Sequence, residues 1–534
     1  MSAAAADAGP AAMDEGFDPA RSAAGGRNPW LIAVVVSIAT FMEVLDTTIA
    51  NVALRYISGA MGVSSDQASW VVTSYLVANA IVLTASSFIS KRYGRKPFYL
   101  VCLGLFTVSS IACGMAWSLE SLLFFRVLQG FAGGGMVPIS QSILADSFPP
   151  SKHGQAFAIF GIAVVVAPVV GPVAGGWLSD NLSWHWCFLI NGPVGVIAFI
   201  LVSLLVQEPQ AAIEERERLK RQGVRMDVTG FVLVAVFLGS LEVILDRGQT
   251  VNWFASEFIV IFTVICAVAF CLMIPWEMTR KNPILDLRMI ATRQFGSCFL
   301  VMLAIGAILI ATTQFLPELL QQYYGYTATW AGLTMSPGGL VTMVSMLLVG
   351  RLTNRIQPKY LIAAGAGIVA LAMWDLTRLN PDSTFWFFAW SRIYIGVGLP
   401  LIFLPITTAS YYGIPQEKTD QASALINVAR NVGGSIGVSI SQNVLAVREQ
   451  FHHSRLDENI VPSNPAYQEM LELATRYFSD VGGGMVGAKD RAIDFIGQQM
   501  QVQAGYMAYI DVFFVLMLLS LAAIPLALIL RRVH

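Results

Sequence analysis

From Trp30 onward the chain alternates long apolar runs with short polar breaks. Each run is about 20 residues long, enough for a helix to cross a hydrocarbon layer roughly 30 Å thick. Fourteen can be placed, centred near residues 41, 80, 108, 133, 165, 196, 237, 264, 308, 340, 368, 397, 432 and 518. In lipid a spanning segment must satisfy its own backbone hydrogen bonds, so apolar runs of this length predict an all-α polytopic bundle.

The polar breaks orient it. Lys91, Arg92, Arg95 and Lys96, then Lys152, then Arg216, Arg218, Lys220, Arg221 and Arg225, then Arg280, Lys281, Arg288 and Arg293, then Arg351, Arg355 and Lys359 all fall on one side. The short loops of the other side offer little beyond Arg55 and Arg247. Basic loops stay in the cytoplasm, so both termini are expected there, which an even number of spans also requires. Residues 1–29, rich in Ala, Gly and Asp, read as a disordered cytoplasmic tail.

Composition agrees with a lipid solvent. Charged residues make up 13% of the 534 positions and hydrophobic ones 55%, against roughly 25% charged in soluble proteins. A net charge of −1 gives no basic excess for nucleic acid. The six cysteines lie in apolar runs without metal-site spacing and read as reduced packing residues.

The fifth run contains Ala167-Pro168-Val169-Val170-Gly171-Pro172-Val173-Ala174-Gly175-Gly176. Pro172 cannot donate a backbone hydrogen bond and the glycines expose bare backbone, so a neighbouring helix can approach closely and the helix can bend. Such a run serves a tight helix crossing or a transporter's hinge. An internal repeat is also visible. Ser87 to Lys96 follows the second run and Gly350 to Lys359 the tenth, both basic turns, about 260 residues apart.

Ionised acids inside a span are costly and mark ion or proton pathways. Glu43 and Asp46 lie three apart in the first run, on one helix face. Counted from Trp30, Asp46 lies about 24 Å in, and Arg126, entering from the opposite side, about 8 Å below that surface, so their levels coincide. A nearby guanidinium favours the ionised carboxyl and burial the neutral one, so alternating the two environments loads and releases a proton. Arg430 and Asn427 fall near the midplane of the thirteenth run, as counter-charge for an acidic substrate or partner for a carboxylate on another helix. Glu242, Glu318 and Asp375 count to the outer half of their spans, where rim solvation accounts for them, and Glu318 is a candidate for the outer mouth.

With these residues in place, the chain resembles the fourteen-span drug:proton antiporters of the major facilitator superfamily, the EmrB/QacA-like branch and its EmrB-type members above all. The resemblance rests on Leu45-Asp46-Thr47-Thr48-Ile49-Ala50-Asn51-Val52-Ala53, Arg126-Val127-Leu128-Gln129-Gly130, the fifth-run sequence, and Trp184-His185-Trp186-Cys187-Phe188-Leu189-Ile190-Asn191-Gly192-Pro193, in that order. It implies two six-helix halves, 30–206 and 293–534, separated by a connector and two peripheral inserted helices within 207–292. It implies proton coupling through Asp46, Glu43 and Arg126, a hinge at Pro168, Gly171, Pro172, Gly175 and Gly176, and a gating loop at Gly94, Arg95 and Lys96. Gln129, Asn51, Arg430, Asn427 and Glu318 become candidates for the substrate cavity. The family's gating loop usually has Gly and Asp where this chain has Ser87 and Lys91.

The resemblance further implies export of amphipathic toxic compounds across a bacterial inner membrane, driven by the proton gradient without a cofactor. A narrow exporter of one metabolite, a fatty acid or a siderophore, is the alternative. The polar stretch 447–505 is expected to be a long periplasmic loop, either a solvated connector or the dock for an EmrA-like membrane-fusion adaptor leading to a TolC-like outer-membrane channel. No metal site or nucleophile with its base appears within the spans, so an enzyme is disfavoured.

Overall fold

The computed structural model describes residues 22–221, 226–280, 283–353, 355–415, 418–481 and 487–530. Among the described residues the bundle is built from α1 (Pro29–Met61), α2 (Ser65–Tyr93), α3 (Arg95–Gly114), α4 (Leu119–Ser147), α5 (His153–Asn181), α6 (Asn191–Leu205), α7 (Val228–Arg247), α8 (Glu257–Thr279), α9 (Arg293–Gln322), α10 (Ala328–Leu352), α11 (Pro358–Leu376), α12 (Phe385–Ser410), α13 (Thr419–Asp457) and α14 (Ala488–Leu528). Their ends follow local chemistry. Asn28 caps α1 by accepting from the Trp30 amide with Pro29 at the first position, and Gly62 closes that helix at φ 64°.

Thirteen of the described helices are long and apolar enough to cross a membrane, α6 counting together with the helical turn Trp186–Leu189 before it. The exception is α13, which carries polar residues along its length yet packs lengthwise against α9 and α14. Its polarity is tolerated because Asn427 and Arg430 are buried in protein.

The pairings of the first helices recur eight helices later. α1 packs on α5 as α9 does on α13, α2 on α4 as α10 on α12, and α3 on α6 as α11 on α14. Glycines mark the repeats. A Cβ on Gly171 or Gly175 of α5 would strike Thr48 or Ile49 of α1, and one on Gly433 or Gly437 of α13 would strike Leu303 or Ala307 of α9. Gly130 of α4 lies against the Tyr75 carbonyl of α2, and Gly396 of α12 against the Gly338 carbonyl of α10. Small residues let these backbones touch where lipid offers no hydrophobic drive for association.

The two sets of helices meet mainly along α5 and α10. Gly176 abuts Ala328 at one end of this contact, Gly332 abuts Val173 further along, and Gly350 abuts Gly154 at the other. α8 touches α7 and its flanking segments and is largely exposed, as expected of a peripheral helix. α7 departs from that expectation, because it packs against both α2 and α13.

The described residues of the stretch 447–505 are mostly helical. α13 continues to Asp457, a further helix spans Pro465–Val481, and α14 begins at Ala488. At about 1.5 Å rise per residue, α13 runs about 58 Å and so extends well beyond a roughly 30 Å hydrocarbon layer. Leu471, Ala492 and Ile496 give this projection a small core, which a polar sequence did not announce. Residues 482–486 lie outside the described residues, as does most of the N-terminal tail. Residues 22–26 are ordered, with Ala23 accepting from the Gln207 amide.

Candidate functional site

The first span delivers Asp46 to a fully enclosed position. Asp46, Arg126 and Gln129 are each 0% exposed. Arg126 of α4 reaches Asp46 Oδ2 at 2.6 Å, and Gln129, one turn on, donates to Oδ1 at 2.9 Å. Asn191, at the start of α6, donates to the same oxygen at 2.7 Å. Asp46 is therefore held by three donors from two helices, the arrangement a buried carboxylate needs to repay its desolvation. Arg126 also donates to the Val71 carbonyl at 2.9 Å and to Gln129 Oε1 at 2.8 Å, and its guanidinium lies 4.3 Å above the Tyr75 ring.

Glu43 belongs to a neighbouring cluster. Tyr75 and Asn79, one turn apart on α2, each donate to Glu43 Oε1 at 3.1 Å. Gly133 of α4 makes room, since a Cβ there would lie 2.6 Å from the Tyr75 hydroxyl. Tyr75 thus joins the two acids, its ring under Arg126 and its hydroxyl on Glu43. Sequence reasoning missed Tyr75 and Asn79, although two polar residues four apart in an apolar run were a readable signal. Asn191 stood in a recognised motif without a role.

The remaining candidates divide. Asn427 donates to Gln141 of α4 at 2.7 Å, so it ties α13 to α4. Arg430 forms no ion pair among the described residues. It reaches only Asn431, at 3.3 Å, and one of its terminal nitrogens is buried without a partner. Asn51 is exposed. Glu318 lines a cavity of about 240 Å³ with Gln249, Gln314, Gln442 and Glu449. Glu242, expected at a solvated rim, is instead 6% exposed and bonded to Ser435 of α13.

The gating loop shrinks to Gly94, held at φ 104° between α2 and α3. Glu208 accepts from the amides of Arg95 and Lys96, and Lys96 Nζ donates to the Ser203 carbonyl at 2.7 Å. Arg95 pairs with Asp146 of α4 and, at 3.2 Å, with Asp420 at the start of α13. Ser423 and Asn427 extend this contact by both bonding Gln141. At the basic end, α13 is thus bound to α3 and α4. Lys91, where the family usually has Asp, pairs with Glu215 instead. In the hinge sequence, Gly171, Gly175 and Gly176 are buried contacts to α1 and α10, and Pro168 and Pro172 lie inside an unbroken α5.

A two-set bundle of membrane helices, with an enclosed acid and arginine in one set and a polar latch across one end, defines a membrane transporter. The chain belongs to the Major Facilitator Superfamily, whose family model matches residues 36–438. It is 38% identical over 489 residues to the multidrug export protein EmrB of Escherichia coli (strain K12), covering 90% of this chain and 91% of that one. It is 36% identical to the fatty acid resistance protein FarB of Neisseria gonorrhoeae, over 82% of this chain and 85% of that one. Its fold is similar to that of a bacterial homolog of the human lysosomal transporter Spinster, with a TM-score of 0.56 at 16% identity over 94% of this chain and 97% of that one.

Proposed function

We propose that the protein is a proton-coupled antiporter that exports amphipathic toxic compounds across the bacterial inner membrane by alternating access, with both termini in the cytoplasm. The observation that carries this reading is Asp46, a fully enclosed carboxyl with its cation on another helix. Separating α1 from α4 takes the cation away, and the carboxyl then binds a proton; restoring the contact releases it. The Arg95, Asp146 and Asp420 latch closes the cytoplasmic end in this conformation. Similarity to a multidrug export protein supports a broad substrate range, and no cofactor enters the cycle.

A narrower reading, export of one acidic metabolite such as a fatty acid, is favoured by Arg430, a buried cation with no ion-pair contact and one unpartnered nitrogen among the described residues, and by the similarity to FarB. In either reading the helical projection at the ends of α13 and α14 is the surface for a membrane-fusion adaptor that leads to an outer-membrane channel. Exposed Met470, Leu473 and Tyr477, at helical spacing, supply its apolar face.

The test is uptake into inverted vesicles under an imposed pH gradient, with acidic, neutral and cationic dyes and a fatty acid. The broad reading expects several dye classes to move. Movement of a fatty acid alone establishes the narrow one, and movement that ignores the gradient rejects coupling.

A further inference from the structure

α7 is fastened to α2 near one end, where Asp246 accepts from the Thr73 hydroxyl and Arg247 donates to Ser69. One turn before Asp246, α7 meets α13 instead. There Glu242, 6% exposed, has both carboxyl oxygens on one hydroxyl, with Ser435 Oγ at 2.7 Å from Oε1 and 2.9 Å from Oε2. The same hydroxyl lies 3.2 Å from the Asn431 carbonyl. A hydroxyl carries a single hydrogen, so it cannot donate fully to three acceptors; a hydrogen on the carboxyl itself supplies what is missing. No ion pair to Glu242 occurs among the described residues, and an ionised acid so placed has nothing to repay its burial.

We propose that Glu242 is a second proton-binding carboxyl, placed by the inserted helix where it touches a helix of the C-terminal set. The charged groups around it are few. α7 brings Asp246 and Arg247, α8 has Glu257 and Glu277 near its ends, α2 has Lys91 and Arg92 at its far end, and α13 brings Arg430. Of these Asp246 is the nearest along α7, one turn on, and it is held by the Thr73 hydroxyl. When α13 moves away from α7, Ser435 leaves and water reaches the carboxyl, which releases the proton; the return of α13 requires it to be bound again. One proton is taken up and one released, and no other bond changes. The proposal takes its place in the cycle from the antiport reading, but proton binding at Glu242 is measurable without it.

The experiment is infrared difference spectroscopy of the full chain in lipid, stepping pH without substrate and reading the carboxylic C=O stretch with its shift in deuterium oxide. Glu242→Gln keeps the shape and the Ser435 contact and is expected to remove one titrating band. Ser435→Ala is expected to shift that band, and Asp46→Asn to leave it in place while removing a different one. An unchanged set of titrating bands in Glu242→Gln overturns the proposal, because a merely structural carboxyl does not titrate. Loss of the Glu242 band with no change in Asp46→Asn sinks the antiport reading alone.

Discussion

Arg126 and Arg392 are each the eighth residue of their helix, α4 and α12, and each is followed four residues later by a glycine that touches the neighbouring backbone. Arg126 has a carboxylate, a glutamine, a backbone carbonyl and an aromatic face. Arg392, 3% exposed, leaves two of its nitrogens buried without partners. The repeat keeps the scaffold in both halves and the acid–arginine pair in one. Packing is therefore expected to respond alike to matched substitutions in the two halves, and charge differently.

The largest contrast lies in the arginines. Arg126→Ala leaves Asp46 enclosed without its cation and is expected to cost about 3–5 kcal/mol, read as a lowered thermal unfolding midpoint in detergent. Arg392→Leu removes a buried charge that has no carboxylate and is expected to leave that midpoint unchanged or raise it. Equal losses in the two variants would dissolve the comparison.

The matched glycines supply the next test. Gly175→Leu presses on Ile49, and Gly437→Leu presses on Ala307. Each is expected to cost about 1–3 kcal/mol through overpacking and to abolish export with the protein still present in the membrane. Normal export by either variant would remove close packing from the account.

A smaller effect falls on the carboxylate's own shell. Asn191→Ala removes one of three donors to Asp46 and is expected to lower stability by about 1–3 kcal/mol. In the projection, removal of residues 455–500 is expected to leave vesicle transport intact and to abolish resistance in whole cells. Equal loss in both assays would put the projection in the transport cycle instead.

Much of this was legible from the chain. Apolar runs of spanning length gave the helices, because lipid leaves the backbone few alternatives. Depth counting brought Asp46 and Arg126 to one level, and the structure joins them at 2.6 Å. Partners that depend on rotation about a helix axis were not legible. Tyr75 and Asn79 face Glu43, and Asp420 faces Arg95, across distances of sequence that no local pattern encodes. Glu242 was misplaced because depth alone locates a residue along the membrane normal and says nothing of which neighbour covers it. The helices at Pro465–Val481 and from Ala488 were hidden by polarity, since a helix outside lipid has no need of apolar residues all round.

The most direct test of the account is gradient-driven uptake by Asp46→Asn in proteoliposomes, measured beside substrate binding by the same preparation with a dye that the wild type transports. Asparagine keeps the size and much of the hydrogen bonding of Asp46 but cannot ionise. The account predicts that binding persists while uptake under an imposed pH gradient falls to that of protein-free vesicles. Uptake at the wild-type rate would show that the coupling proton travels on another residue.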